Sequence, residues 1–297
     1  MKVKTFVPGH ISCVFRPVRT DDILTTGSLG FGIRTDLGCT ATVWEREDDA
    51  IDISINGKRC EALITRSAVE SIADGRGFDI RLKHDLPLGQ GFGASASGTY
   101  AATLCVADIL GKDSEVAAIA SHKAECTMGG GLGDLLAITS ESGVPIRAEA
   151  GIPGKTTDSG VSLPDLTLIV FKEPLSTASV LSDEGMMEKI IREGDRSMEM
   201  FFSDRSVEGL FKASNSFSEK TGLEQENVRK ALLSIRDEGY HAAMCMLGNS
   251  IYSTIPADHA AELFPEADIF KTGCYEGSIS VRRIRALDRV TLFTRIM

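Results

Sequence analysis

The chain has 297 residues, 42% of them hydrophobic and 25% charged, with 29 glycines and 9 prolines, a composition that excludes collagen-like, low-complexity and wholly disordered classes. Its 32 Lys and Arg stand against 42 Asp and Glu, a net charge of −10, which argues against a sequence-independent nucleic-acid binder. No run approaches the roughly 18 apolar residues of a membrane span, no charged-then-apolar leader opens the chain, and the seven cysteines form no C-x-x-C pair, so the expectation is a cytoplasmic protein in a reducing compartment.

In chain order, Lys4–Val7, Cys39–Glu45 and Ile51–Ile55 read as strands, and Asn56-Gly57 signals a hairpin. Between the first two, Gly27, Gly30 and Gly32 in TGSLGFGI predict a loop. A short helix over Ser67–Ala73 ends at Gly75, and Phe78–His84 alternates like a strand. A strand-like stretch to Leu86-Pro87 then passes through a glycine-rich loop into an alanine-rich helix, Ser95 to Leu110. A second helix runs from Ser114, a plausible N-cap, to Thr127. Gly129-Gly130-Gly131 interrupts before a helical turn at Asp134-Leu135-Leu136, and VPIR, ending at Arg147, reads as a short strand. The connector IPGKTTDSGVSLPD marks a domain boundary near residues 152–163, dividing the chain into 1–155 and 156–297. Beyond it, Leu166–Phe171 reads as a buried strand, helices are expected at 183–203, 206–220, 224–238 and 240–251, and strands at Asp268–Lys271 and Val290–Arg295. The pattern is α+β, with helices on one face of an antiparallel sheet in the second half.

The loop from Pro87 to Gly98, PLGQGFGASASG, runs straight into a helix. Its glycines let backbone approach a ligand, and the first helical turn offers unpaired N–H groups, an arrangement suited to a phosphate chain. It has neither the G-K-[ST] ending of a Walker loop nor the G-x-G-x-x-G order of a dinucleotide fold. Ser95 sits where a hydroxyl can reach a phosphate oxygen or a metal bound to it. Glu125 and Asp134 flank the second glycine run, where one carboxylate can hold Mg²⁺ and the other can accept a hydroxyl proton. Taken singly, these are also a capped turn, a surface glutamate and a helix-capping aspartate. Trp44 and the group Met186, Met187, Met198 and Met200 read as core or helix-packing residues, Glu47-Asp48-Asp49 as a solvated loop, and Arg282, Arg283 and Arg285 as the solvated face of a C-terminal strand.

With those residues in order, the chain resembles the GHMP kinases. Their signature P-x-x-x-G-L-G-S-S-A-A is followed by Pro87, Gly91, Phe92, Gly93, Ala94, Ser95 and Ala96, with Phe92 and Ala94 as departures. The resemblance implies an N-terminal domain like ribosomal protein S5 domain 2, a C-terminal ferredoxin-like domain, and a site in the cleft between them. It implies ATP bound by Pro87, Gly89, Gly91, Phe92, Gly93, Ala94, Ser95, Ala96 and Ser97, Mg²⁺ held by Ser95 and Glu125, and Asp134 as catalytic base. The first family motif appears as Pro8-Gly9-His10, with histidine where the family has lysine, and the third is reduced to Lys271–Gly277. Together with the glycines at 27–32 and Met246-Leu247-Gly248-Asn249, these departures are most similar to the archaeal branch of the family that phosphorylates D-pantoate to 4-phosphopantoate on the way to coenzyme A. Such a substrate carries a carboxylate, which a guanidinium matches; Arg147 is the leading candidate, Arg16 and Arg34 follow, and His10 is a further substrate contact. A shikimate-, mevalonate- or homoserine-type kinase and a non-catalytic nucleotide or metabolite sensor stay open, as does a homodimer.

Overall fold

β1 (Lys2–Val18) and β2 (Gly27–Glu45) form one long antiparallel ribbon; the computed structural model describes residues 1–172 and 184–284, and the rest of the described chain packs on its two halves. Register shifts between Pro8 and Gly9 and between Ser12 and Val14 break the ribbon's alternation. A one-residue slip moves side chains to the other face, so the ribbon serves two cores. Val3, Val7, Cys39, Ala41 and Val43 pack with α1 (Leu63–Glu70), α2 (Ala94–Leu110) and α3 (Ser114–Thr127). Ile11, Val14, Phe15, Phe31 and Ile33 belong to a second core shared with the C-terminal elements.

The first sheet runs β12 (Val281–Ile284), β1, β2, β5 (Phe78–His84), β3 (Ile51–Ile55), β4 (Lys58–Arg59), with β6 (Pro145–Glu149) paired to β2 and β7 (Lys155–Asp158) to β6. Nearly all of α2 is buried, which its small side chains allow: it lies against β1, β2, α1 and α3 at once. Its interior hydroxyls are satisfied, Thr99 by Thr65 at 2.9 Å and Thr103 by Ser121 at 2.8 Å.

The second sheet has the order β11 (Asp268–Thr272), β8 (Leu166–Val170), β10 (Ser250–Ser253), β9 (Ala242–Met244), antiparallel throughout. Between β8 and β9 lie α5 (Glu184–Ser203), α6 (Val207–Thr221) and α7 (Glu226–Asp237), and between β10 and β11 lies α8 (Ala257–Leu263). That is a ferredoxin-like β-α-β-β-α-β order with additional helices, as expected. Ser206 caps α6 by accepting from the Gly209 amide at 3.0 Å, and Gly222, at φ 77, ends it.

Several expectations are corrected. The loop expected at Gly27–Gly32 is the first third of β2. Its glycines are there because other groups occupy their side-chain space: a Cβ on Gly32 would lie 2.3 Å from His10 Nε2, and one on Gly30 would lie 2.1 Å from the Val14 carbonyl and 2.9 Å from Arg147 Nη2. The helix expected at 240–251 is the β9–β10 hairpin, closed by Gly248 N–H donating to the Cys245 carbonyl at 3.0 Å. Its alanines and methionines favour helix, but burial within the sheet overrides that preference. The helix read at Ser67–Ala73 starts earlier, at Leu63, and Asp113 rather than Ser114 is the residue before α3. The connector contains β7, and α8 was not anticipated. Trp44 is half-buried on the outer face of the sheet, 5.6 Å from Lys2 and 4.6 Å from Arg81, not in a core. Val290–Arg295 and Arg285 lie outside the described residues, whereas Arg282 and Arg283 are exposed on β12 as expected.

Gly32→Ala is expected to lower stability by about 1–3 kcal/mol, the range for overpacking a tight interior, because His10 must move. Chemical denaturation of the two proteins checks it, and the Gly57→Ala control, where nothing lies within 4 Å, should lose only what the left-handed turn costs.

Candidate active site

Gly93, at φ 59, precedes α2 and aims its first turn at a cavity of about 210 Å³. Gly89, Gly91, Phe92, Gly93, Ala94, Ser95 and Ala96 line the cavity; Pro87 and Ser97 do not. The Ser97 amide already donates to the Gly93 carbonyl at 2.9 Å, so the amides before it are the ones without a helical acceptor. The loop is fastened to the second sheet through Gln90. Its Oε1 accepts from the Asn249 amide at 2.9 Å, its carbonyl accepts from Ser250 Oγ at 2.6 Å, and its Nε2 donates to the Phe171 carbonyl at 2.9 Å. Gln90 was not singled out in the sequence, because a polar residue between two glycines looks like any loop residue.

Glu125 comes from the end of α3 and is 1% exposed. Ser95 Oγ donates to its Oε1 at 2.6 Å and the Gly131 amide to its Oε2 at 2.8 Å. Burial pushes its carboxyl up to about 7, against the opposing effect of those two hydrogen bonds. A Cβ on Gly130 would sit 2.0 Å from Glu125 Oε2, and one on Gly131 would sit 2.3 Å from Asp134 Oδ2. The glycine run therefore lets backbone wrap both carboxylates.

Asp134 opens the short helix α4 (Asp134–Ile138), and its side chain keeps 24% exposure beside the phosphate loop. Its Oδ1 lies 2.7 Å from His10 Nδ1. His10 is fully buried, and its Nε2 lies 3.2 Å from Arg147 Nη1. A guanidinium can only donate, so Nε2 is the acceptor and the imidazole proton sits on Nδ1, donated to Asp134. Burial also pulls the His10 pKa below its ordinary value, outweighing the upward pull of Asp134. The imidazole is thus neutral, and both of its nitrogens are engaged.

Arg147, on β6, is 1% exposed. Its Nη2 donates to the Val14 carbonyl at 3.2 Å and to that of Leu29 at 3.4 Å, while Nε is buried without a protein partner. A Cβ on Gly133 would lie 2.0 Å from Ser28 Oγ and 3.0 Å from Arg147 Nε, which puts both polar groups behind one wall of the cavity that Ser28 and Gly133 line. Burial lowers the Arg147 pKa to about 10, so it remains a cation at neutral pH.

The other arginine candidates are elsewhere. Arg16 pairs with Asp195 at 2.9 Å. Arg34 is buried, stacks 5.0 Å from the Tyr275 ring, and donates to the carbonyls of Tyr275 and Gly277, each at 3.2 Å. Residues 271–277, taken for the third family motif, do not line the cavity; Met246 and Leu247 do. Ser28 and Leu247 were missed as wall residues because each belongs to a segment whose fold was misread.

Among the described residues no group of three or more His, Cys, Asp or Glu is placed to hold a metal ion. Ser95 and Glu125 nonetheless fit Mg²⁺, which is commonly held by one or two protein oxygens and completed by substrate phosphates, and a buried carboxylate that has no cation beside it among the described residues suits one.

Residues 62–142 match the model of the GHMP kinases N-terminal domain. The chain is 30% identical to the pantoate kinase of Thermococcus kodakarensis, over 88% of this chain and 90% of that one. It is 27% identical to the pantoate kinase of Methanocaldococcus jannaschii, over 83% and 90%. A solved structure described as a phosphotransferase related to the CoA biosynthesis pathway superposes with a TM-score of 0.85 at 25% identity, covering 95% of this chain and 99% of that one. A mevalonate kinase structure shares the fold, with a TM-score of 0.64 at 15% identity over 93% and 99%. The chain belongs to the pantoate kinase family of the GHMP kinases.

Because the folded-state pKa of Glu125 is raised, the folded protein binds this proton more tightly than the unfolded chain. The stability this gives is present below about pH 4.5 and is lost as pH rises through about 7, by on the order of 3 kcal/mol. Glu125→Gln should therefore gain stability relative to the wild-type chain as pH rises across that window, measured by urea unfolding without nucleotide.

Proposed function

We propose that the protein transfers the γ-phosphoryl group of ATP to the terminal hydroxyl of D-pantoate, forming 4-phosphopantoate in archaeal coenzyme A biosynthesis. The observation that carries this reading, in a chain of this family, is Asp134 held by a neutral buried histidine at the wall of the phosphate-loop cavity. Phosphoryl transfer depends on positioning and charge neutralisation more than on covalent chemistry. The amides of Ala94, Ser95 and Ala96 bind phosphate oxygens at the start of α2. Ser95 and Glu125 would hold Mg²⁺, which would neutralise charge on the transferring group. Asp134 takes the acceptor's hydroxyl proton. His10 donates its Nδ1 hydrogen to Oδ1, which leaves Oδ2 to face the hydroxyl, so His10 serves the acceptor through Asp134. Arg147 does not line the cavity; it stands behind the wall made by Ser28 and Gly133, where its buried, unpartnered Nε supplies the positive charge toward which the acceptor's carboxylate would be drawn.

Residues 1–155 make up the nucleotide-binding unit and 156–297 the ferredoxin-like unit, a division that follows the two sheets except that β7 crosses the boundary within the first sheet and β12 returns to it. Seven unpaired cysteines support a reducing, cytoplasmic setting, and no described helix is long and apolar enough to cross a membrane.

With ATP, Mg²⁺ and D-pantoate the purified protein should release ADP. Asp134→Asn should cut kcat by about 10²–10⁴-fold, the usual contribution of a general base, while nucleotide affinity stays close to wild type. Good turnover with shikimate or mevalonate and none with pantoate would reject the assignment, and ATP binding with no acceptor phosphorylated would favour a sensor. Arg147→Met should raise KM for pantoate far more than KM for ATP, as steady-state kinetics would show.

A further inference from the structure

Among the described residues four non-glycine positions have φ in the left-handed region: Asn56, Ala62, Asp74 and Leu247, the last at φ 64. Leu247 alone of these lines the site cavity. A branched apolar residue in this conformation is unusual, because its Cβ crowds the backbone. Strained residues of this kind persist where the surroundings over-determine them, and they cluster at ligand clamps.

The surroundings of Leu247 do over-determine it. Gly248 N–H closes the turn on the Cys245 carbonyl at 3.0 Å. A Cβ on Gly248 would lie 2.1 Å from the Gln90 carbonyl, so position 248 must be glycine. The flanking Met246 amide donates to the Ser12 carbonyl at 3.4 Å, and the Asn249 amide to Gln90 Oε1 at 2.9 Å. With both ends pinned, one to β1 and the other to the phosphate loop, residue 247 has no freedom to relax. A glycine there would satisfy the backbone without strain, yet the chain carries leucine.

We infer that Leu247 is a specificity-determining residue that reads the branched carbon next to the acceptor's reacting hydroxyl. This rests on the pantoate reading above. In pantoate the hydroxymethyl group is attached to a quaternary carbon bearing two methyl groups, and the second hydroxyl and the carboxylate lie beyond it. With the hydroxyl at Asp134 and the carboxylate toward the Ser28–Gly133 wall that backs Arg147, the two methyls are left to meet apolar surface. Phe15, Leu132, Met246 and Leu247 supply that surface in the same cavity. An unbranched hydroxy acid would leave that wall without contact.

The test compares kcat/KM for D-pantoate with that for 2,4-dihydroxybutanoate, which keeps both hydroxyls and the carboxylate but lacks the methyls. Wild-type protein should prefer pantoate by about 10- to 200-fold or more, the range for a small apolar difference in a pocket. Leu247→Gly should collapse that preference toward parity chiefly by raising KM for pantoate, with KM for ATP nearly unmoved. Leu247→Asn, which tolerates the same backbone conformation but presents no branched apolar group, should do the same and guards against a folding defect in the first variant. A preference kept in both variants, or equal losses for both acceptors, would overturn the inference while leaving the pantoate assignment intact. Wild-type protein that turns over neither acceptor would overturn the pantoate assignment and this inference with it.

Discussion

A carboxylate that is to take a proton beside a triphosphate, the role proposed for Asp134, has to hold one rotamer and keep one oxygen free for the acceptor. The 2.7 Å hydrogen bond from His10 to Asp134 meets these requirements together, and much of the fold exists to make it. His10 sits one residue beyond the bulge in β1 and Asp134 at the start of α4, so the ribbon must bend and the glycine run must turn before the two can meet. Gly32 leaves the room that the imidazole fills, and Gly30 leaves the room for Arg147. At this motif position the chain has an uncharged donor, His10, backed by a buried guanidinium. The positive charge of Arg147 is thus held apart from Asp134, with the imidazole between them.

This arrangement also explains how a chain of net charge −10 can bind two anionic substrates. Neither anion needs a basic surface. On the proposed assignment, helix-terminal amides and a metal ion serve the nucleotide, and a single desolvated arginine serves the carboxylate, where low dielectric strengthens the effect of one charge. The second sheet contributes as well: Gln90 ties the phosphate loop to the β9–β10 turn, so the loop is braced from the half of the chain that carries no phosphate-binding motif.

Local patterns made the site's first half readable. Gly89 to Ser97, Glu125 and Asp134 form contiguous motifs whose chemistry follows from residue type, and six of the seven strand-like pieces named before residue 172 fell on real strands, because alternation, β-branched residues or, at Leu166–Phe171, a continuous apolar run mark them locally. The parts that were not readable depend on contacts distant in sequence. Glycine in TGSLGFGI looks like a loop until His10 and Arg147 are seen to occupy the missing side chains. HAAMCML looks like a helix until it is seen as the buried edge strand β9 and the turn that follows it. Arg147 could be nominated for the carboxylate from its place after α4, but its grip on His10 could not be anticipated, since the two lie 137 residues apart. Trp44 looks like a core residue because nothing in its neighbourhood tells which face of β2 it occupies.

The account turns on the protonation of His10, and long-range ¹H–¹⁵N correlation spectroscopy of ¹⁵N-histidine-labelled protein measures it directly. The wild-type chain should show a His10 ring protonated at Nδ1 only, unchanged from slightly acidic to slightly alkaline pH, and that signature should be lost in Arg147→Met. A His10 ring protonated on both nitrogens at neutral pH, or on Nε2 alone, would contradict it.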